Sequence, residues 1–320
     1  MHKEKKMNVK KILIDNKSLV GLLLMMAVIS VLSPNFLSVD NLLNILRQTS
    51  INAIIAVGMT YVILTAGIDL SVGSVLALAG AVCASMISAD TPLLLAVVAT
   101  LLIGGALGAA NGVVVSLLGV QPFIATLVGM TILRGATLVY TGGRPISTGD
   151  FDVAESFYQI GGGYVGPIPV PVVVILLVFA LFWVILNHTR FGRYVYAIGG
   201  NESVTRIAGI HVTRVKVLVY ALSGMMAALA GMILTARLES AQPTAGIGYE
   251  LDAIAAVVLG GTSLMGGRGT LVGTLIGALI IGVLNNALNL MDVSSYFQQI
   301  AKGSVILLAV VVDSRVKSSA

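Results

Sequence analysis

Apolar runs of roughly membrane-crossing length alternate along the chain with short polar breaks. The alternation predicts ten helical elements, near 19–37, 50–68, 71–88, 92–110, 121–141, 167–187, 217–236, 252–265, 269–291 and 296–312. About 20 helical residues cross the roughly 30 Å of a bilayer's hydrocarbon, so most of these runs are long enough to span it. Two divisions rest on local chemistry. Residues 91–133 carry no charge, and they separate into two helices because Asn111, Gly112, Gln121 and Pro122 supply turn residues between two helix-length runs. Residues 253–267 are few for a crossing and glycine-rich toward their end, which predicts a re-entrant element. The expected fold class is all-α: a polytopic membrane protein of about ten transmembrane or re-entrant helices, forming one membrane domain over 19–312.

Composition excludes the water-soluble alternative. With 57% hydrophobic and 10% charged residues and a mean hydropathy of +0.99, too little polar surface exists to cover a globule. The single cysteine, Cys83, lies in an apolar run, so it forms no intramolecular disulfide and is expected to pack as a small hydrophobe. The basic head MHKEKKMNVKK precedes an apolar run from Leu19. A retained first helix is the expected reading and a cleaved signal peptide the alternative.

Charge orients the spans. With a cytoplasmic N-terminus and ten crossings, the C-terminus is also cytoplasmic, and the inner side collects fourteen of the nineteen Lys and Arg residues. They fall in a basic N-terminus over 1–18, a loop over 188–216, Arg268, and a tail over 313–320. Arg47, Arg134, Arg144 and Arg237 fall outside with most of the acids. Such an asymmetry fits the positive-inside rule. It also accounts for a pI near 9.3 without nucleic acid, since the positive charge sits beside helix ends rather than in one groove-sized patch.

The chain echoes itself. TAGIDLSVGSVLALAG from Thr65 resembles TAGIGYELDAIAAVVLGG from Thr244, and GALGAANGVVVSLLGVQPF from Gly105 loosely resembles GALIIGVLNNALNLMDVSSYF from Gly277. An interval of five spans would invert the second copy, as in transport pathways that open to either side; ordinary likeness among apolar segments is the alternative. Glycines four apart, at Gly104, Gly108 and Gly112 and again at Gly273 and Gly277, predict helices in backbone contact.

Enzyme chemistry finds no residues. GTSLMGGRG from Gly261 has Arg268 where a phosphate loop needs Lys followed by Ser or Thr, so no nucleotide or other cofactor is expected on this chain. His2, His188 and His211 show no metal-ligand spacing, and no G-x-S-x-G motif is present. Among ionisable residues near spans, Asp69 is a candidate helix cap or gate, and Lys302, with Arg134, either snorkels to the interface or faces the bundle interior.

The longest polar break is HTRFGRYVYAIGGNESVTRIAGIHVTRVK, with five Lys or Arg and one acid. Asn201 is placed to cap a short helix from Glu202 to Ala208, with Gly209 left-handed at its end. Glu202 and Arg206, four apart, can pair on one side, while Val204, Ile207 and Ala208 share another. A short amphipathic helix of this kind suits a partner's cleft; a solvated basic loop is the plainer reading.

From about Ser33 to Asp313 the chain resembles the sugar permeases of bacterial ATP-binding-cassette importers, nearest their ribose branch. The resemblance lies in SPNFLSVDNLLNILRQTSINAIIAVGM, ILTAGIDLSVGS, QPFIATLVGM, GRYVYAIGGNESVTRIAGI, SAQPTAGIGYELDAIAAVVLGGTSLMGG and GTLIGALIIGVLNNALNL. It implies a multi-pass protein of the bacterial inner membrane, a homodimer with a second permease copy. The implied partners are a cytoplasmic ATPase of two fused cassettes, which holds ATP and Mg, and a periplasmic sugar-binding protein. Ribose is the implied sugar, with xylose, galactose or an autoinducer-2-like sugar as alternatives, and an ATP-independent secondary transporter as the rival class. It further implies that Asn201, Glu202, Ser203, Arg206, Ile207, Gly209 and Ile210 form the coupling segment. Glu202 and Gly209 match the acid and glycine of such loops, whereas Ser203 and Val204 replace the usual alanine pair. On that topology, Glu155, Glu239 and Glu250 are the candidates for docking the binding protein.

Overall fold

The computed structural model describes residues 17–318. The basic stretch 1–16, with the signal-peptide question attached to it, and residues 319–320 lie outside the described residues. Thirteen helices are described: α1 (Lys17–Leu32), α2 (Val39–Leu64), α3 (Val72–Ser88), α4 (Leu93–Ser116), α5 (Pro122–Thr141), α6 (Asp152–Gly162), α7 (Val170–His188), α8 (Arg190–Gly200), α9 (Glu202–Ile207), α10 (Val212–Leu238), α11 (Tyr249–Leu259), α12 (Leu271–Leu290) and α13 (Ser295–Ser318). Six of them, α2, α4, α5, α7, α10 and α12, are long and apolar enough to cross a membrane; α1 and α3 are shorter apolar helices. The uncharged stretch 91–133 does hold two helices, but Asn111 and Gly112 are helical within α4 because they pack against neighbouring helices, and the break comes only where Pro122 opens α5. The element expected near 252–265 is an eleven-residue helix, α11, about 16 Å long and half of the hydrocarbon thickness.

Local chemistry sets several boundaries. Ser38 Oγ accepts the Asn41 N–H at the start of α2, where Asp40 suits the positive helix end. Thr270 Oγ1 accepts the Gly273 N–H at the start of α12. Two short antiparallel pairs complete the fold: β1 (Ile146–Ser147) with β4 (Ser240–Ala241), and β2 (Tyr164–Val165) with β3 (Ile168–Pro169).

The core is built from two sets of three helices, α2–α4 and α10–α12. In one pairing α4 runs against α10, with Gly104 on Ala228, Gly108 on the Tyr220 carbonyl and Gly112 on Val217. In the other, α12 runs against α2, with Gly282 on Thr49 and the Thr274 and Thr60 hydroxyls 2.8 Å apart. Because Asn52 shares a cavity wall with Leu234 and Arg237 while Gly58, farther along α2, meets Ser223 and Met226, α2 and α10 are themselves antiparallel. The second pairing is thus the first turned over, the arrangement an inverted repeat produces. The glycine stripes have the expected consequence: helix backbones touch, and dispersion contacts form that lipid cannot replace.

The two echoing segments meet at the centre. The first turn of α3 and the turn before α11 cross, so that a Cβ on Gly73 would strike the Gly246 carbonyl and a Cβ on Gly246 would strike that of Gly73. Both α3 and α11 therefore begin inside the bundle, and the non-helical backbone before them lies against protein rather than lipid.

Candidate functional site

At one end of the bundle the polar loop folds as two helices, α8 and α9. Asn201 Oδ1 accepts the Val204 N–H at 3.0 Å, capping α9 as its sequence predicts. The helix ends one residue early, at Ile207, and Gly209 follows with φ +84°. Thr205 is buried against the protein, while Val204 is 60% and Ile207 87% exposed, so the apolar side of α9 points away from the bundle.

Glu202 ties this helix to the core. Its carboxylate accepts from Arg206 Nη2 at 2.9 Å and from Lys216 Nζ, which belongs to α10. Burial pushes the Glu202 carboxyl up, but the hydrogen bond and charge of Lys216, and then those of Arg206, outweigh it and hold the group below its usual range. On the other side α8 is seated on α2. Gly199 lies on the Leu64 carbonyl, which also accepts the Gly267 N–H at 3.0 Å. Tyr196 donates to the Gly269 carbonyl at 2.8 Å. Tyr61 of α2 stacks on Phe191 of α8 and meets Phe182 of α7 edge-on. The α8–α9 unit thus grips the ends of both long antiparallel helices, α2 and α10.

Asp69 is not the cap of α3. Ser71 occupies the cap position without a side-chain cap bond. Asp69 is buried two residues earlier, because its loop dips between α2 and α10; its Oδ1 accepts the Ser71 N–H (3.0 Å) and hydroxyl (2.6 Å), and its Oδ2 the Ser223 hydroxyl (2.9 Å). Asn111 donates to Ser71 Oγ at 2.8 Å, extending this network to α4. Asp69 therefore holds α3, α4 and α10 together at depth, an arrangement that satisfies a buried carboxylate by hydrogen bonds rather than by a cation.

Lys302 and Arg134 both face protein. Lys302 pairs with the buried Asp252 at 3.1 Å, and Arg134 donates to the carbonyls of Pro243 and Ala245 at 2.9 and 2.8 Å. Sequence reasoning missed the amides around this region. Asn52 approaches Asp252 at 3.4 Å, and Asn41 and Asn286 exchange two hydrogen bonds, at 3.1 and 2.8 Å, between α2 and α12. Their signal was present as polar letters inside apolar runs.

At the opposite end of the bundle from α8 and α9, Glu155 and Glu239 share one surface depression with Asp150 and Asp152. Glu250 does not join them. It is partly buried beside Gly73, with the Gly248 N–H donating to its Oε1 at 3.2 Å, because the turn before α11 folds into the crossing. Among the described residues no group of three or more His, Cys, Asp or Glu side chains is placed to hold a metal ion.

Residues 41–310 match the family model described as branched-chain amino acid transport system / permease component. The chain is 60% identical over 304 residues to the ribose import permease protein of Haemophilus influenzae, covering 95% of this chain and 94% of that one. It is 56% identical over 295 residues to the ribose import permease protein of Bacillus subtilis (92% and 91% covered). To the D-allose transport system permease protein of Escherichia coli it is 42% identical over 294 residues (91% and 89% covered). No solved structure matches.

Proposed function

Because this chain belongs to the family of branched-chain amino acid transport system permease components, we propose that it is the membrane permease subunit of an ATP-driven, binding-protein-dependent ribose importer. It is a multi-pass protein of the bacterial inner membrane and a transport subunit rather than an enzyme. The identity to ribose import permeases from two distant bacteria, sustained over more than nine-tenths of each chain, supports ribose over allose.

The observation that carries the mechanism is the grip of α8 and α9 on both α2 and α10. A cytoplasmic ATPase of two fused cassettes, carrying ATP and Mg, receives the exposed Val204 and Ile207 of α9. Asn201, Glu202, Ser203, Arg206, Gly209 and Ile210 complete the coupling segment. When ATP closes the cassettes, α9 moves with them, and the Glu202–Lys216 tie carries the displacement into α10. Two permease copies then rock between states open to either side, each ligand acting through its different affinity for the two. In this orientation both termini and the 188–216 loop are cytoplasmic, about ten elements cross or re-enter the membrane, and the surface at Glu155 and Glu239 faces a periplasmic sugar-binding protein.

Reconstitution with the ATPase and the ribose-loaded binding protein tests the reading. ATP-dependent ribose uptake that stops when the ATPase is omitted is expected. Uptake that persists without the ATPase would establish a secondary transporter instead, and competition by xylose, galactose or autoinducer-2 in place of ribose would reassign the sugar.

A further inference from the structure

Between α2, α10, α11, α12 and α13 lies a cavity of about 260 Å³ whose wall includes Asn52, Arg237, Asp252, Asn285, Gln298 and Lys302. Asn52 stands half-way along the 26-residue α2, so the cavity is at the depth of the bilayer's interior rather than at a membrane surface. Side chains of this kind are expensive in hydrocarbon and are kept there where they face something polar.

Two observations point to an occupant. Thr49 Oγ1, Asn52 Oδ1 and Asn285 Oδ1 are buried and have no hydrogen-bond partner among the described residues. All three residues line this one cavity. Buried acceptors without donors are rare because each forfeits its hydration, so a donor-bearing molecule is called for. Lys302 and Asp252, by contrast, already satisfy each other. Lys302 Nζ and Asp252 Oδ2 are 3.1 Å apart, and Asn52 Nδ2 stands 3.4 Å from the same oxygen.

These features select the chemistry. A zwitterionic amino acid would need a free anion as well as a cation, and although Arg237 offers a cation, the one carboxylate on the wall, Asp252, is already paired with Lys302. Amide side chains each offer a donor and an acceptor, which matches hydroxyl groups that are themselves both. The volume lies just below the roughly 300 Å³ at which small-molecule pockets usually begin, so it suits a single small sugar rather than a larger one. We propose that this cavity is an intramembrane station that holds the neutral polyhydroxyl substrate by its hydroxyls during passage, with Asn52 and Asn285 as the principal contacts. The proposal rests on the import-permease reading above.

The test uses the full complex in proteoliposomes with radiolabelled ribose as the probe. Asn52→Leu and Asn285→Leu are each expected to lower ribose uptake about tenfold, the loss of one or two hydrogen bonds to substrate, while ATP hydrolysis stimulated by loaded binding protein stays within about twofold of wild type. Asn52→Gln and Asn285→Gln should retain more uptake than the Leu variants. Leu variants that import ribose at the wild-type rate, or Leu and Gln variants that lose uptake, hydrolysis and assembly together, overturn the proposal. Should the Leu variants alone fail to assemble, Asn285→Cys in a Cys83→Ala background decides. Its labelling by a small neutral thiol reagent should slow when ribose is being transported, and an unchanged labelling rate overturns the station. A wild-type complex that moves no ribose would instead remove the permease reading itself.

Discussion

Gly73 and Gly246 stand backbone against backbone at the crossing of the two re-entering segments, each blocking the space a Cβ would need on the other. Residues 173 positions apart are thereby locked into one contact, and α3 and α11 start from it. Substituting Gly73 by Val forces a side chain into the Gly246 carbonyl. A destabilisation of about 1–3 kcal/mol or more is expected from such overpacking. Detergent-solubilised protein should unfold earlier on heating, and an unchanged midpoint would contradict the close approach.

The tie from Glu202 to Lys216 makes a separate prediction about coupling. Lys216→Met removes the α10 partner but leaves Arg206 on Glu202, so α9 stays folded while its link to the core is lost. Ribose uptake per ATP hydrolysed should fall about tenfold, comparable to losing one charge-assisted hydrogen bond of roughly 1.5 kcal/mol or more, and Lys216→Arg should restore most of it. Equal ratios in the two variants would show that the tie transmits nothing.

The same pair has a pH signature. Lys216 and Arg206 hold the Glu202 carboxyl below its ordinary 4.5 despite the opposing effect of burial. Its contribution is therefore fully present above about pH 4.5 and is lost only as the pH falls through the lowered value. Amide exchange in α9, followed by mass spectrometry, should be flat from neutral pH down to about 5, after correction for intrinsic rates, and rise below that range. A rise beginning near neutrality would place another group in control.

Asn41 and Asn286 exchange hydrogen bonds between α2 and α12. Either single change to Leu leaves the other amide without its partner, at an expected cost of about 1–2 kcal/mol. The double variant Asn41→Leu with Asn286→Leu should be less destabilised than the sum of the singles. Unfolding of the four proteins in mixed micelles measures the coupling, and strict additivity would mean the pair is not formed.

Cys83 is fully buried in α3. A maleimide should leave the folded protein unlabelled and react once it is denatured, since access to the thiolate is required. Labelling of the native protein at the same rate would contradict the packing of α3 in the bundle.

Much of the coupling segment was legible in its own residues. Asn201, Glu202, Arg206 and Gly209 announce a cap, an ion pair and a left-handed end, because each of these interactions spans no more than four residues. Local spacing was enough for them. It did not announce Lys216 as the second partner of Glu202, which depends on how α10 returns past α9. That Asp69 lies buried between α2 and α10 rather than capping α3 is hidden for a similar reason: it follows from the packing of α2 on α10, not from its neighbours in the chain. Chain position puts Glu250 on the same side as Glu155 and Glu239, but the turn before α11 carries it inward beside Gly73.

The sequence by itself determined that this is a set of apolar helices, roughly where most of them begin, and that one polar loop carries a short capped helix. Those properties follow from composition, helical length and bonds between near neighbours in the chain. The tertiary structure alone decided that Gly73 meets Gly246, that Lys302 finds Asp252, and that Asn52 and Asn285 face one cavity. Amides in separate apolar runs carry no mark of the helix face they will share. That choice is made by backbone contact at small residues and by the cost of leaving a polar group in hydrocarbon, both of which act only once the helices have packed.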